Sequence, residues 1–199
     1  MTAAVLSRCF RTLKTEGNFN NQIGLPKMVF RLDDSIQAAV FEMGMDHAGQ
    51  ISSLSRTVKP DVGIITKIGV SHIENLGSQE GILHAKMEIT DGMREGTPLV
   101  LNGDDPLLLK AAESCGHPVI LFGIDNPSCR VTASHIRQEG EKTFFLLSVF
   151  EHQISVELPA VGRHQVYDAL AAAAAGSFLG VPLDEIARGL SEYVPSGMR

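Results

Sequence analysis

Three side chains of types suited to chemistry stand out in this sequence: Lys86, Glu42 and His72. Read as a helix at about 100° per residue, the stretch Gly81 to Met93 puts Ile82, Ala85, Ile89 and Met93 on one apolar stripe. Lys86 projects from that stripe, while Glu80, His84, Glu88 and Asp91 fall on the wet face. An amine aimed at a core is costly unless it is paired or chemically altered. Taken alone, Lys86 reads as a lysine snorkelling at the stripe edge. Glu42 ends the apolar run Ala38 to Phe41, and His72 follows the run Val62 to Ile68. Taken alone, each reads as a solvated or structural group at a strand end. Together they put a carboxylate, an imidazole and a misplaced amine near the carboxyl edge of one sheet, where open α/β sheets collect ligands. Carboxylate and imidazole both bind divalent ions, and carboxylates suit Mg²⁺. A lysine cation opposes such a metal, whereas a lysine carbamylated by CO2 offers a further carboxylate-like ligand.

The elements that must position these groups follow from pattern. Thr2 to Leu13 reads as an amphipathic helix, and Lys14 to Pro26 as a polar, Asn- and Gly-rich loop. Buried strands are expected at Ala38 to Phe41, Val62 to Ile68, Pro98 to Leu101 and Pro118 to Phe122. Helices are expected between them, at His47 to Ser55, after the capping Ser78, and at Leu107 to Ser114 after the turn Asn102-Gly-Asp-Asp-Pro. Strands alternating with helices predict a mostly parallel, helix-covered α/β sheet. The rhythm then changes. Arg130 to Arg137, Lys142 to Val149 and Ile154 to Leu158 read as consecutive strands, a small antiparallel addition at the sheet edge. Val161 to Leu179 is an Ala-rich helix and Pro182 to Tyr193 another, before linker-like residues 194–199.

Composition bounds the function. The chain has 199 residues, 44% hydrophobic and 20% charged, with a net charge of −6. That balance argues against a broad nucleic-acid surface, so a phosphorylated ligand must be held by local dipoles, metals and a few cations. Cys9, Cys115 and Cys129 are odd in number and lack metal-like spacing, as expected of reduced cysteines in a cytoplasmic protein. No apolar run reaches the length of a membrane span.

Several segments, in order, closely resemble the central ATPase domain of the Mur ligase family. They are Thr15-Glu-Gly-Asn-Phe-Asn-Asn-Gln-Ile-Gly-Leu-Pro, Phe41-Glu-Met-Gly-Met, Ser71-His-Ile-Glu-Asn-Leu-Gly-Ser, Ala85-Lys-Met-Glu-Ile, Leu101-Asn-Gly-Asp-Asp-Pro and Gly162-Arg-His-Gln-Val-Tyr-Asp-Ala-Leu-Ala-Ala. The resemblance implies a P-loop-like fold and a cell-wall ligase. Such enzymes use ATP and Mg²⁺ to activate a carboxylate of a UDP-linked peptide as an acyl-phosphate, which an amine then attacks. The Asn-Phe-Asn-Asn and Glu-Met-Gly-Met versions are most similar to members that join D-alanyl-D-alanine to UDP-N-acetylmuramoyl-tripeptide. By the same resemblance, Glu42, His72 and a carbamylated Lys86 are metal-site residues, with Lys86 and His72 catalytic. Thr15, Asn20 and Asn21 face the UDP-substrate and phosphate region, and His164, Gln165 and Asp168 face adenine. Asn102, Asp104 and Asp105 match a turn whose role reads as structural.

The sequence also departs from the family pattern. It contains no G-x-x-G-K-[ST] phosphate-cradling loop, and Lys67, Gln165 and Asp168 stand where relatives usually carry asparagine. An ionised Asp168 accepts but does not donate, so a donor to adenine is lost. Residues 1–193 are therefore expected to be a partial central domain without its phosphate loop, leading at 194–199 into a linker, and inactive as a ligase alone. The alternatives are another Mur ligase, a folylpolyglutamate synthase, or a non-catalytic Mur-like binding module.

Overall fold

The computed structural model describes residues 1–195, so part of the expected linker, 196–199, lies outside the described residues. In chain order the main elements are α1 (Thr2–Leu6), β1 (Thr12–Lys14), α2 (Gly24–Val29), β2 (Ala38–Val40), α3 (Gln50–Val58), β3 (Gly63–Ile65), α4 (Ile73–Leu76) and α5 (Gln79–Met87). A 3-10 turn, Glu88–Gly92, continues α5. Then come β4 (Leu99–Asn102), α6 (Pro106–Ala112), β5 (Val119–Gly123), β6 (Val131–Glu139), β7 (Lys142–Val149), β8 (His152–Leu158), α7 (Arg163–Phe178) and α8 (Leu183–Ser191).

A six-stranded sheet runs β3-β4-β5-β6-β7-β8, and β1 and β2 form a separate parallel pair. The β3 to β6 pairings are parallel, while β6–β7 and β7–β8 are antiparallel. The predicted parallel sheet with an antiparallel edge is the observed fold of β3 to β8. Ala38–Val40, expected in that same sheet, pairs with β1 instead, so Glu42 and His72 follow strands of two separate sheets rather than one. Burial follows the two-residue period of a strand covered on both faces. On β4, Leu99 and Leu101 join Ile65, Ile68, Ile82 and Leu108 in the core under α5 and α6. Val100, between them, joins the larger core of α7 and the antiparallel strands. The alanine run of α7, Ala171 to Ala175, is buried throughout. Short side chains let that helix lie close to the sheet.

Several expected boundaries moved. The first helix ends at Leu6 rather than Leu13, because Thr12–Lys14 pairs in parallel with Ala38–Val40 as β1. A strand partner distant in sequence overrides the local helical period there. The polar loop closes early as well. Asn21 Oδ1 accepts the N–H of Ile23 at 3.0 Å and of Gly24 at 2.8 Å, and so starts α2. Helix α3 begins at Gln50, not His47, with Gly49 in the left-handed region at φ 86°. The short helix α4 within Ser71 to Ser78 carried no periodic signal.

Candidate functional site

Parallel pairing brings the carboxyl ends of β1 and β2 together, with Thr12 opposite Ala38 and Lys14 opposite Val40. Thr15 extends that ladder by donating its N–H to the Val40 carbonyl at 2.9 Å. Its hydroxyl accepts the Glu42 N–H at 2.9 Å. Asn20 then clamps the strand end twice. Its Nδ2 donates to Glu42 Oε1 at 2.9 Å, and its carbonyl accepts the Gly44 N–H at 2.7 Å. The loop fixes the direction of the Glu42 carboxylate and leaves it exposed.

His72 follows β3 and caps α4 with φ 64° and ψ 19°. This left-handed backbone is uncommon for a residue with a side chain, although histidine adopts it more readily than most. Conformations of this kind concentrate at functional sites. An open cleft of about 590 Å³ joins the loop, the strand end and His72, lined by Asn20, Asn21, Glu42, Asp46, Gln50 and His72.

Lys86 is arranged differently from its sequence expectation. Ile82 and Ala85 are buried as the stripe requires, but Lys86 is only half-buried. Its Nζ donates to the Lys67 carbonyl at 2.6 Å, and Lys86 does not line the cleft of Glu42 and His72. Burial draws its pKa below the usual lysine value, with the Asp105 carboxylate opposing. A larger neutral fraction is the form that reacts with CO2.

Among the described residues, no three His, Cys, Asp or Glu side chains gather at metal-holding spacing. Mg²⁺ needs less, because it keeps several waters and takes one or two carboxylates plus phosphate oxygens. Glu42, with one oxygen held by Asn20 and the group open to solvent, fits that donor set, and His72 lines the same cleft.

His164, Gln165 and Asp168 lie on the first two turns of α7. None of them lines the cleft. Asp168 is half-buried, and burial raises its carboxyl above the ordinary range against the opposing charges of His164 and the amino terminus.

Sequence reasoning missed one support, Glu88, and read a second, Asp104, as structural without its partners. Glu88, assigned to the wet face, accepts the Gly49 N–H at 2.6 Å and the Ser52 N–H at 3.1 Å. It supplies to α3 the cap that Gly49 lacks a side chain to provide. No local signal marked it, since the start expected at His47 follows Asp46, itself a capping residue. The second support is Asp104, which accepts the Ile124 and Asn126 N–H groups at 2.6 and 2.7 Å and the Tyr167 hydroxyl at 2.9 Å. It ties the end of β5 to α7.

Burial alone would raise the Asp104 carboxyl, but these donors outweigh it and hold the group below its ordinary value of 3.8. A depressed folded-state value means stability that is present above about pH 4 and lost as pH falls through the folded value. Thermal unfolding from pH 6 downward is expected to show a steeper acid loss for the native protein than for Asp104→Asn, which starts less stable. Parallel curves would remove Asp104 from the acid response.

Comparison with known proteins places the chain in a family. The Mur ligase middle domain family matches residues 1–176. UDP-N-acetylmuramoyl-tripeptide--D-alanyl-D-alanine ligase of Bacillus subtilis (strain 168) is 41% identical over 199 residues, which cover 100% of this chain and 42% of that protein. The ligase of the same name from Escherichia coli (strain K12) is 35% identical over 192 residues, or 96% of this chain and 42% of that protein. The crystal structure of MurF from Acinetobacter baumannii aligns with a TM-score of 0.92 at 32% identity, covering 98% of this chain and 43% of that one. The chain therefore spans about 42% of the length of these two named relatives. With the family matched over most of its length and the fold shared, this chain belongs to the Mur ligase family, as its middle domain.

Proposed function

We propose that this chain is the central domain of an ATP-dependent ligase that joins D-alanyl-D-alanine to UDP-N-acetylmuramoyl-tripeptide in peptidoglycan synthesis, in the cytoplasm. The observation that carries the reading is the convergence of Asn20, Glu42 and His72, from three separate segments, in one cleft at the strand ends. Magnesium bound there would neutralise charge between two anions, the peptide carboxylate and the phosphate it receives from ATP.

The chain's own residues have distinct tasks in this reading. Asn20 and Thr15 aim Glu42, as their hydrogen bonds indicate. His72 flanks the same space, and Asn21 holds the loop that borders it. Lys86 in its neutral form adds to CO2: a C–N bond forms and one N–H proton leaves to solvent. The carbamate keeps one N–H, so the Lys67 carbonyl can still hold it. His164, Gln165 and Asp168 would border adenine, with Asp168 as an acceptor where a donor is usual.

The test is a chimera in which these 199 residues replace the matching segment of the Bacillus subtilis relative. Phosphate release that requires ATP, Mg²⁺, UDP-N-acetylmuramoyl-tripeptide and D-alanyl-D-alanine is expected within about tenfold of the parent. The 199 residues alone are expected to show none, since they contain no phosphate-cradling loop. A folded chimera that binds the UDP-peptide without turnover would replace this reading with that of a non-catalytic binding module.

A further inference from the structure

The turn Asn102 to Asp105 does more than join β4 to α6. One oxygen of Asp105 accepts the Leu107 and Leu108 N–H groups at 3.0 and 3.3 Å and caps α6. Its other oxygen reaches across the sheet end to accept the Ile68 N–H at 2.8 Å. That N–H belongs to the same planar unit as the Lys67 carbonyl, since a peptide group joins C=O of one residue to N–H of the next. In a trans peptide the two point in opposite directions. Asp105 therefore holds one end of this unit, and the Lys86 ammonium donates to the other at 2.6 Å. The preceding unit is pinned as well, because Asn102 Nδ2 donates to the Thr66 carbonyl at 3.0 Å. Asn102 is 7% exposed and Ile68 4%, so the pinned segment is largely shielded from competing water. Negative charge at the N–H end and positive charge at the C=O end both align with the peptide dipole.

We propose that Asp105 is a positioning residue for Lys86, acting through the Lys67–Ile68 peptide to fix where the lysine tip is held. In its catalytic sense this rests on the reading of Lys86 as part of the ligase site. The turn then links the capping of α6 to the aim of the reactive amine, a task that its local sequence does not reveal.

Asp105→Ser separates the two jobs, since serine caps a helix well but is too short to reach Ile68. In this chain, Asp105→Ser is expected to speed amide exchange at Ile68 by about tenfold. Acetic anhydride labelling of Lys86, followed by mass spectrometry and corrected by a pH series for the amine's altered titration once the Asp105 charge is gone, should then run about fivefold faster as its acceptor loosens, with Lys110 unchanged. In the chimera, kcat should fall about ten- to a hundredfold while KM for ATP stays within about twofold. Should Asp105→Ser fail to fold, Asp105→Asn keeps the shape and gives up one of the two acceptors, and the same changes are expected of it. Unchanged Lys86 labelling and kcat despite faster Ile68 exchange would overturn the proposal, as would unchanged Ile68 exchange. Lys86→Gln distinguishes failure of the underlying reading. If that chimera ligates at the parental rate, Lys86 is outside the chemistry and Asp105 is a structural support alone, whatever the labelling shows.

Discussion

Glu42→Gln in the chimera is expected to cut ATP-dependent ligation by about a hundred- to a thousandfold, with little change in stability. The amide keeps the size of the carboxylate and an oxygen to accept from Asn20 Nδ2. The Glu42 N–H, a backbone group, keeps its bond to the Thr15 hydroxyl. What disappears is a negative charge in a solvent-open cleft that His72 also lines. Removing one preorganised electrostatic contact of this kind costs about 10²–10³ in rate. The exposed position makes the folding cost small, about 0.5 kcal/mol or less. Steady-state phosphate release and a thermal melt on the same preparation check both halves. Activity within threefold of the parent would remove Glu42 from the site and, with it, the main support for the ligase reading.

Gly92→Ala is expected to destabilise the fold by about 3 kcal/mol or more, because backbone cannot yield as a side chain does. A Cβ at Gly92 would lie 2.1 Å from the Ser55 carbonyl oxygen and 2.2 Å from its carbon. The contact is held from both sides. Ser55 is fully buried, its hydroxyl donates to the Ile89 carbonyl, and it accepts the Gly92 N–H at 3.1 Å. Nearby, Ser52 Oγ donates to Asp91 at 2.6 Å, and Glu88 caps the start of α3. Forcing the 3-10 turn away from α3 would therefore pull on both the Lys86 helix and the Asp46 to Gln50 wall of the cleft. For a chain of this size the loss corresponds to a Tm lower by about 6–12 °C. An unchanged melting temperature would show that the two segments separate freely.

Legibility in the sequence tracked how local each cause was. The strands β3 to β5, the antiparallel run β6 to β8 and the helix α7 were readable because each follows its own hydrophobic period or length. Strand β1 was not, because its three residues become a strand only by pairing with Ala38–Val40. The Glu88 cap was missed for the same reason: its partners are Gly49 and Ser52, 39 and 36 residues away. Glu42 and His72 were singled out because their types follow apolar runs, and both line the cleft. Lys86 was recognised as misplaced, yet its actual acceptor, a backbone carbonyl, carries no residue identity for a sequence to display.

By itself the sequence determined the α/β class, the order of the larger elements and the family, since periodicity and ordered motifs are properties of a one-dimensional string. The tertiary structure decided which groups meet: Asn20 and Thr15 on Glu42, Glu88 on α3, and Asp105 and Lys86 on opposite ends of one peptide. Such meetings depend on strand register and on the crossing of distant segments. Those are fixed when the whole core packs, which is where hydrogen bonds between residues far apart in the chain acquire their geometry.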